Sequence, residues 1–246
     1  MGIIVVKKED QARGSFNNGE ILENKPIGFP EDNGAQKAYS NLFYWAQAYT
    51  SKGSTIGLHP HKGFEIVSYV LKGAIKHYDT KYDKWLGVEA GGFQVIKSGS
   101  GISHSEELEK DSAIFQIWFD PNLNESLYKE PAYEDYKSEV LPIEINENRS
   151  IKTIVGEKSP VKLDTEGIRI QEITLKKNFP LALDSNYSHS IYIIQGKVIL
   201  NDKEIEKDDF AIVQEENEIQ IGGEVDSKLF IISSPTTPTY TTYINS

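Results

Sequence analysis

The sequence predicts an all-β protein of two barrels or sandwiches in tandem, and three observations carry that prediction. Short apolar runs rich in β-branched and aromatic residues recur along the 246-residue chain, each stopped by Gly, Pro or Asp. Helical patterns are scarce, so at most a few short helices are expected. The two halves of the chain also resemble each other locally, which a single internal duplication explains.

In order along the chain, residues 66–71 form an apolar run that ends at Gly73, and residues 74–78 continue in alternation. Residues 93–96 follow Gly91 and Gly92, and residues 113–119 stop at Asp120-Pro121. From Asn122 to Tyr136 the chain turns polar and Pro-containing, and Val140-Leu141-Pro142 opens a new section. The boundary is therefore placed near residue 142, giving domains over 1–142 and 143–246. Further strands are expected over 152–155, 168–175, 190–194, 198–200, 210–213 and 228–233. Tyr69 to Ile75 can be laid over Tyr192 to Val198, with Gly73 on Gly196, and Phe93 to Ile96 over Phe210 to Val213. That overlay sets His59 and His61 against Ala182 and Asp184, so only the first half can carry a histidine-rich site.

Composition excludes several classes of function. The net charge is -11 and only three of the 26 basic residues are Arg (Arg13, Arg149, Arg169), so a basic footprint for nucleic acid is missing. No apolar run approaches membrane-spanning length, and the start of the chain lacks the order of a secretory signal. A cytoplasmic location is expected. Zero Cys excludes disulfides and a sulfur-rich zinc site.

Three of the five histidines fall in two short segments, His59-Pro60-His61 and His104-Ser105-Glu106, with Glu65 four residues beyond His61. On an extended segment, residues i and i+2 point to one side. Two such segments facing each other across a barrel bring three imidazoles and a carboxylate, Glu65 or Glu106, to one metal. His77 is expected behind the ligands or on the surface, and His189 in a loop. The glycines Gly99 and Gly101 are read as allowing the turn that delivers His104. A phosphate loop needs more glycines and a following helix. The aromatic groups Phe43-Tyr44-Trp45 and Trp118-Phe119 are read as core.

The spacing Gly53-x5-His59-x-His61-x3-Glu65, with Gly73 ending the strand, and Gly99-x-Gly101-x2-His104 resemble the two cupin motifs. Within the cupins, His59-Pro60-His61 through Glu65, Tyr69 to Gly73 and Ser98 to Glu106 resemble the pirin family of two-cupin proteins. The match is strong over residues 53–121 and rests only on layout after 142. Val95 and Ser100 depart from the usual pirin residues, Trp and Arg, and are expected to alter the pocket wall and rim.

The resemblance implies two jelly-roll cupin barrels, with one divalent metal in the first. Fe(II) is the expected ion, with Mn, Co, Ni, Cu and Zn as the other candidates. By the same resemblance the ligands are His59, His61, His104 and Glu106, while Glu65 holds the slot of the carboxylate ligand in most other cupins. It further implies a dioxygenase that opens the ring of flavonols such as quercetin with dioxygen, Glu106 or Glu65 taking the substrate proton. The rival expectation is a metal- or redox-responsive regulatory protein that acts through partner proteins. A monomer is expected in either case.

Overall fold

The computed structural model describes residues 2–245. The chain divides into two compact units, here the first and second barrels. The first contains Gln11–Val140, Leu163–Thr165 and residues 240–245; the second contains residues 2–10, Leu141–Lys162 and Glu166–Thr239. A single cut near 142 therefore separates residues 2–10, 163–165 and 240–245 from the units they join. Residues 2–10 contribute β1 (Gly2–Val6), an edge strand that pairs with Phe210–Gln214 of the second barrel. Lys7 and Lys8 pin it further, each 2.8 Å from a carboxylate oxygen, of Asp209 and Asp208 respectively.

The first barrel opens with β2 (Ala12–Phe16), β3 (Ile21–Ile27), β4 (Leu42–Tyr49) and β5 (Ser54–His61). It continues with β6 (Glu65–Lys72), β7 (Ala74–Asp79), β8 (Trp85–Glu89) and β9 (Phe93–Lys97). β10 (Ile102–Leu108), β11 (Ala113–Phe119), the short α1 (Leu123–Ser126) and β12 (Ala132–Tyr136) complete it. A seven-stranded sheet runs β12-β9-β6-β11-β4-β3-β2 and a four-stranded sheet β5-β10-β7-β8. The polar stretch after Asn122, read from the sequence without a strand, contains β12. Its strand pattern is masked because Glu134 and Asp135 face solvent while Tyr133 is buried. Ile21, Val70, Ile75, Leu108 and Ile114 fill one part of the interior. Burying each such side chain contributes about 1.5–3 kcal/mol.

The second barrel repeats the plan. Its strands are β13 (Ile143–Ile145), β14 (Arg149–Val155), β15 (Arg169–Leu175), β16 (Phe179–Ala182) and β17 (Tyr187–Gln195). β18 (Lys197–Leu200), β19 (Lys203–Glu206), β20 (Phe210–Gln214), β21 (Glu218–Gly223) and β22 (Lys228–Pro235) follow. The sheets run β1-β20-β17-β22-β15-β14-β13 and β16-β21-β18-β19, strand for strand the order of the first barrel. The duplication extends to atoms. Gly73 and Gly196 both turn with positive φ, 72° and 77°. A Cβ on either would lie 2.2 or 2.3 Å from a serine Oγ, of Ser112 or Ser227. Each hydroxyl closes the turn on the residue after the glycine, Ala74 or Lys197.

The expected architecture of two cupin barrels with little helix is the one observed. No helix among the described residues is long and apolar enough to cross a membrane.

Candidate metal centre

β5 and β10 lie side by side, with His59 directly opposite His104 and His61 opposite Ile102. Between His104 and Glu106 the register shifts, the one residue Ser105 of β10 standing opposite the two residues Gly57 and Leu58 of β5. This is a bulge at Gly57-Leu58. On the other side of β10, Glu106 faces His77 and His104 faces Asp79, both on β7. By strand alternation, one face of the small sheet carries all six side chains.

The three rings of His59, His61 and His104 stand 4.4 to 4.8 Å apart, centroid to centroid. One potential ligand atom from each lies within 4.8 Å of the others, and the same holds for His77, His104 and Glu106. His104 joins the two groups. Donors bound cis at about 2.1 Å are roughly 3 Å apart, so small side-chain rotations suffice to converge on one ion.

The ring nitrogens fit such an ion. His61 Nε2, both nitrogens of His104 and His77 Nδ1 are buried with no hydrogen-bond partner among the described residues. Unpaired buried polar atoms are costly and call for an explanation, and a cation supplies one. His59 Nδ1 donates to the Gly57 carbonyl at 2.7 Å, which leaves its Nε2 as the lone pair. Burial first, then the neighbouring imidazoles, holds the pKa of His61 and of His104 down to about 3. Both rings are therefore neutral at pH 7, the form that ligates a metal.

Glu106 is completely buried and its carboxylate is oriented by the larger sheet. Oε1 accepts from Gln94 Nε2 at 2.7 Å and from Ser68 Oγ at 3.3 Å, and Oε2 accepts from Gln116 Nε2. Ser68, Gln94 and Gln116 are cross-strand neighbours in one row of β9, β6 and β11. The sequence carried their signal: each is a polar residue inside an otherwise apolar run. Val95, one residue on from Gln94, points to the opposite face of β9 and is not part of this wall; Ser100 is exposed.

His77 is fully buried, not a surface residue. Its Nε2 donates to Asp79 at 2.8 Å, and its ring stacks on Tyr133 with centroids 4.2 Å apart. Asp79 is fixed in turn by the backbone N–H groups of Lys81 and Tyr82. Trp118, expected in the core, meets His61 edge-on at 4.7 Å and packs against Phe29, Tyr44 and Phe64. A shallow surface depression beside the centre is lined by Pro60, His61, Lys62, Thr80, Ile102 and Ser103; His61 is the one residue of the centre that it touches. The expected role of the glycines before His104 fits Gly99, where φ is 51° and a Cβ would lie 2.4 Å from the Lys129 carbonyl oxygen.

Glu65 stands elsewhere. It lies on β6 in the larger sheet, three residues from Ser68 and hence on the opposite face. Its Oε1 accepts from the Asp164 N–H at 2.7 Å, and its Oε2 from the Thr165 N–H at 2.8 Å and the Thr165 hydroxyl. Burial pushes its pKa up, while those donors and Lys97 pull it back. This carboxylate clips residues 163–165 to the first barrel. Glu65→Ala strands two N–H groups and should cost roughly 1–3 kcal/mol of stability, with metal content unchanged. Thermal melting and metal analysis of the purified variant check both parts.

Among the described residues the second barrel has no equivalent centre. β16 has no bulge and pairs Leu181 with Ile219 on β21. Counting along the sequence therefore runs one residue ahead: Leu181 and Leu183, not Ala182 and Asp184, take the places of His59 and His61. Ile219, Ile221 and Leu200 replace His104, Glu106 and His77, and these residues lie in or against the barrel's apolar core.

A sequence model described as Pirin matches residues 27–119, the stretch that holds all six residues of this face. Residues 27–119 are a pirin domain. Over 196 residues, 74% of this chain and 78% of the relative, the protein is 26% identical to a quercetin 2,3-dioxygenase of Escherichia coli. It is 38% identical to pirin-like protein 2 of Arabidopsis thaliana over 100 residues, 40% of this chain and 30% of the relative. Its fold is similar to that of the bacterial pirin YhhW from Escherichia coli, solved with nickel(II). The TM-score is 0.78 at 24% identity, over 95% of this chain and 99% of that one. A quercetin 2,3-dioxygenase structure from Acinetobacter baumannii gives 0.80 at 16% identity, over 97% and 79%. The chain is a pirin-like bicupin with a His-rich candidate metal site in its pirin domain.

Proposed function

We propose that this protein is a dioxygenase that opens the ring of flavonols such as quercetin, with Fe(II) held by His59, His61, His104 and Glu106. The observation that carries the reading is a set of imidazoles with unpartnered nitrogens beside a buried carboxylate, with His59 and His61 only partly buried and so within reach of solvent. A structural metal site needs no such access. The names of the relatives, several of them quercetin 2,3-dioxygenases, support the same substrate class.

When bound, iron supplies Lewis acidity toward a substrate oxygen and the redox chemistry that dioxygen requires. The chain's own residues do the rest. Glu106 accepts the proton of the flavonol 3-hydroxyl, and Gln94, Ser68 and Gln116 hold its carboxylate in position. Asp79 accepts from His77 Nε2 and so orients the ring, leaving Nδ1 buried without a hydrogen-bond partner among the described residues. Trp118, edge-on to His61, presents an apolar surface that orients a flat aromatic ring.

Oxygen uptake by the iron-loaded protein across a small panel of flavonols and catechols tests the reading. Uptake with carbon monoxide release is expected for flavonols. No uptake from any flavonol by fully loaded protein would overturn it in favour of a metal- or redox-responsive regulator acting through partner proteins.

A further inference from the structure

Where the first barrel carries His59 and His61, the second carries a cavity of about 330 Å³ lined by Leu181, Leu183, Ile231, Arg169, His189 and Ser233, with Asp184 at its edge. Arg169 on β15, Ser233 on β22 and His189 on β17 lie directly opposite one another in a single cross-strand row. In the first barrel the same row is Tyr44, Trp118 and Ile66, the wall beside the metal centre. The duplicated position is thus apolar and aromatic in one copy and polar in the other.

His189, expected in a loop, lies inside β17 and is buried. Its Nε2 donates to the Asp184 carbonyl at 3.1 Å, because a carbonyl can only accept. Burial lowers its pKa, so at neutral pH the ring is uncharged and Nδ1 accepts the Ser233 hydroxyl at 2.8 Å. That pair offers no charge to the cavity. The Asp184 carboxylate is engaged by the backbone N–H and side-chain amide of Asn186, both at 3.1 Å.

Arg169 has no such engagement. Its guanidinium lies over the Tyr187 ring at 4.5 Å, and among the described residues it makes neither an ion pair nor a hydrogen bond. In a chain of net charge -11, an exposed arginine placed over an aromatic ring beside a cavity, its forked donors without a protein partner among the described residues, is suited to an anion from outside. The floor of Leu181, Leu183 and Ile231 asks for an apolar body on that anion. We propose that the second barrel binds a small organic carboxylate here, its carboxylate on Arg169 and its hydrocarbon part on the leucines. The volume, near the lower end for ligand pockets, limits the body to about one ring.

Titration of the full-length, metal-loaded protein with 4-fluorobenzoate, followed by fluorine NMR, tests the site. Saturable binding with Kd of about 1 mM is expected, and Arg169→Gln should weaken it about tenfold or more. The uncharged isostere 4-fluorobenzamide should not bind, and His61→Ala should bind the carboxylate as the wild type does. Undiminished affinity in Arg169→Gln, equal binding of the amide, or no saturable binding would overturn the proposal. Loss of binding in His61→Ala with none in Arg169→Gln would assign the ligand to the metal centre, which also overturns it.

Discussion

Wild-type protein is expected to hold one equivalent of divalent metal per chain, and His61→Ala close to none. His61 brings a neutral imidazole whose Nε2 has no other partner, and its ring is within 4.8 Å of the rings of both His59 and His104. Removing one of three imidazoles leaves His59 and His104 with a carboxylate whose oxygens are already hydrogen-bonded. Apparent binding energies of four-ligand sites run to about 10–16 kcal/mol, so losing one ligand costs roughly 3 kcal/mol, more than a hundredfold in affinity. Metal analysis after dialysis reads the result directly. A variant that keeps a full equivalent sinks the ligand assignment. Two tightly bound ions in the wild type would contradict the apolar replacement of the centre by Leu181, Ile219 and Ile221.

Glu106→Gln is expected to lower turnover far more than metal occupancy. Three imidazoles remain to hold the ion, while the group that takes the substrate proton is lost. General-base contributions of this kind are about 10² to 10⁴ in rate, or roughly 3–5 kcal/mol of barrier. The substitution also has a local cost, because amide donors sit on both carboxylate oxygens and one must then face the new NH₂ group. A melting curve separates that cost from catalysis, and turnover per bound metal removes occupancy from the comparison. Near-wild-type turnover at matched loading would rule out Glu106 as the base. The role would then pass to the His77–Asp79 pair, since Glu65 faces away from the centre.

The expected strands over 66–71, 74–78, 93–96 and 113–119 all lie within observed ones, because each announces itself within a few residues by alternation and a stop. Edge elements were harder to read. β1 joins the barrel at the far end of the sequence, and β12 hides its pattern behind exposed Glu134 and Asp135. His77 carried too little signal by itself. One of the groups that cover it is Tyr133, more than fifty residues away and brought there by β12 at the edge of the larger sheet.

By itself the sequence determined the all-β class, the repeat of one barrel plan, and the pairing of histidines at i and i+2, because strand parity is a local property of the chain. Only the tertiary structure decided which carboxylate stands beside the imidazoles. Parity cannot be carried from β5 to β6 through the turn at Lys62-Gly63, since the two strands belong to different sheets. Nor does sequence counting reveal the bulge at Gly57-Leu58, which shifts the second barrel's equivalents to Leu181 and Leu183. Bulges and sheet membership are set by hydrogen bonds between strands distant in sequence, and those form only when the barrel closes.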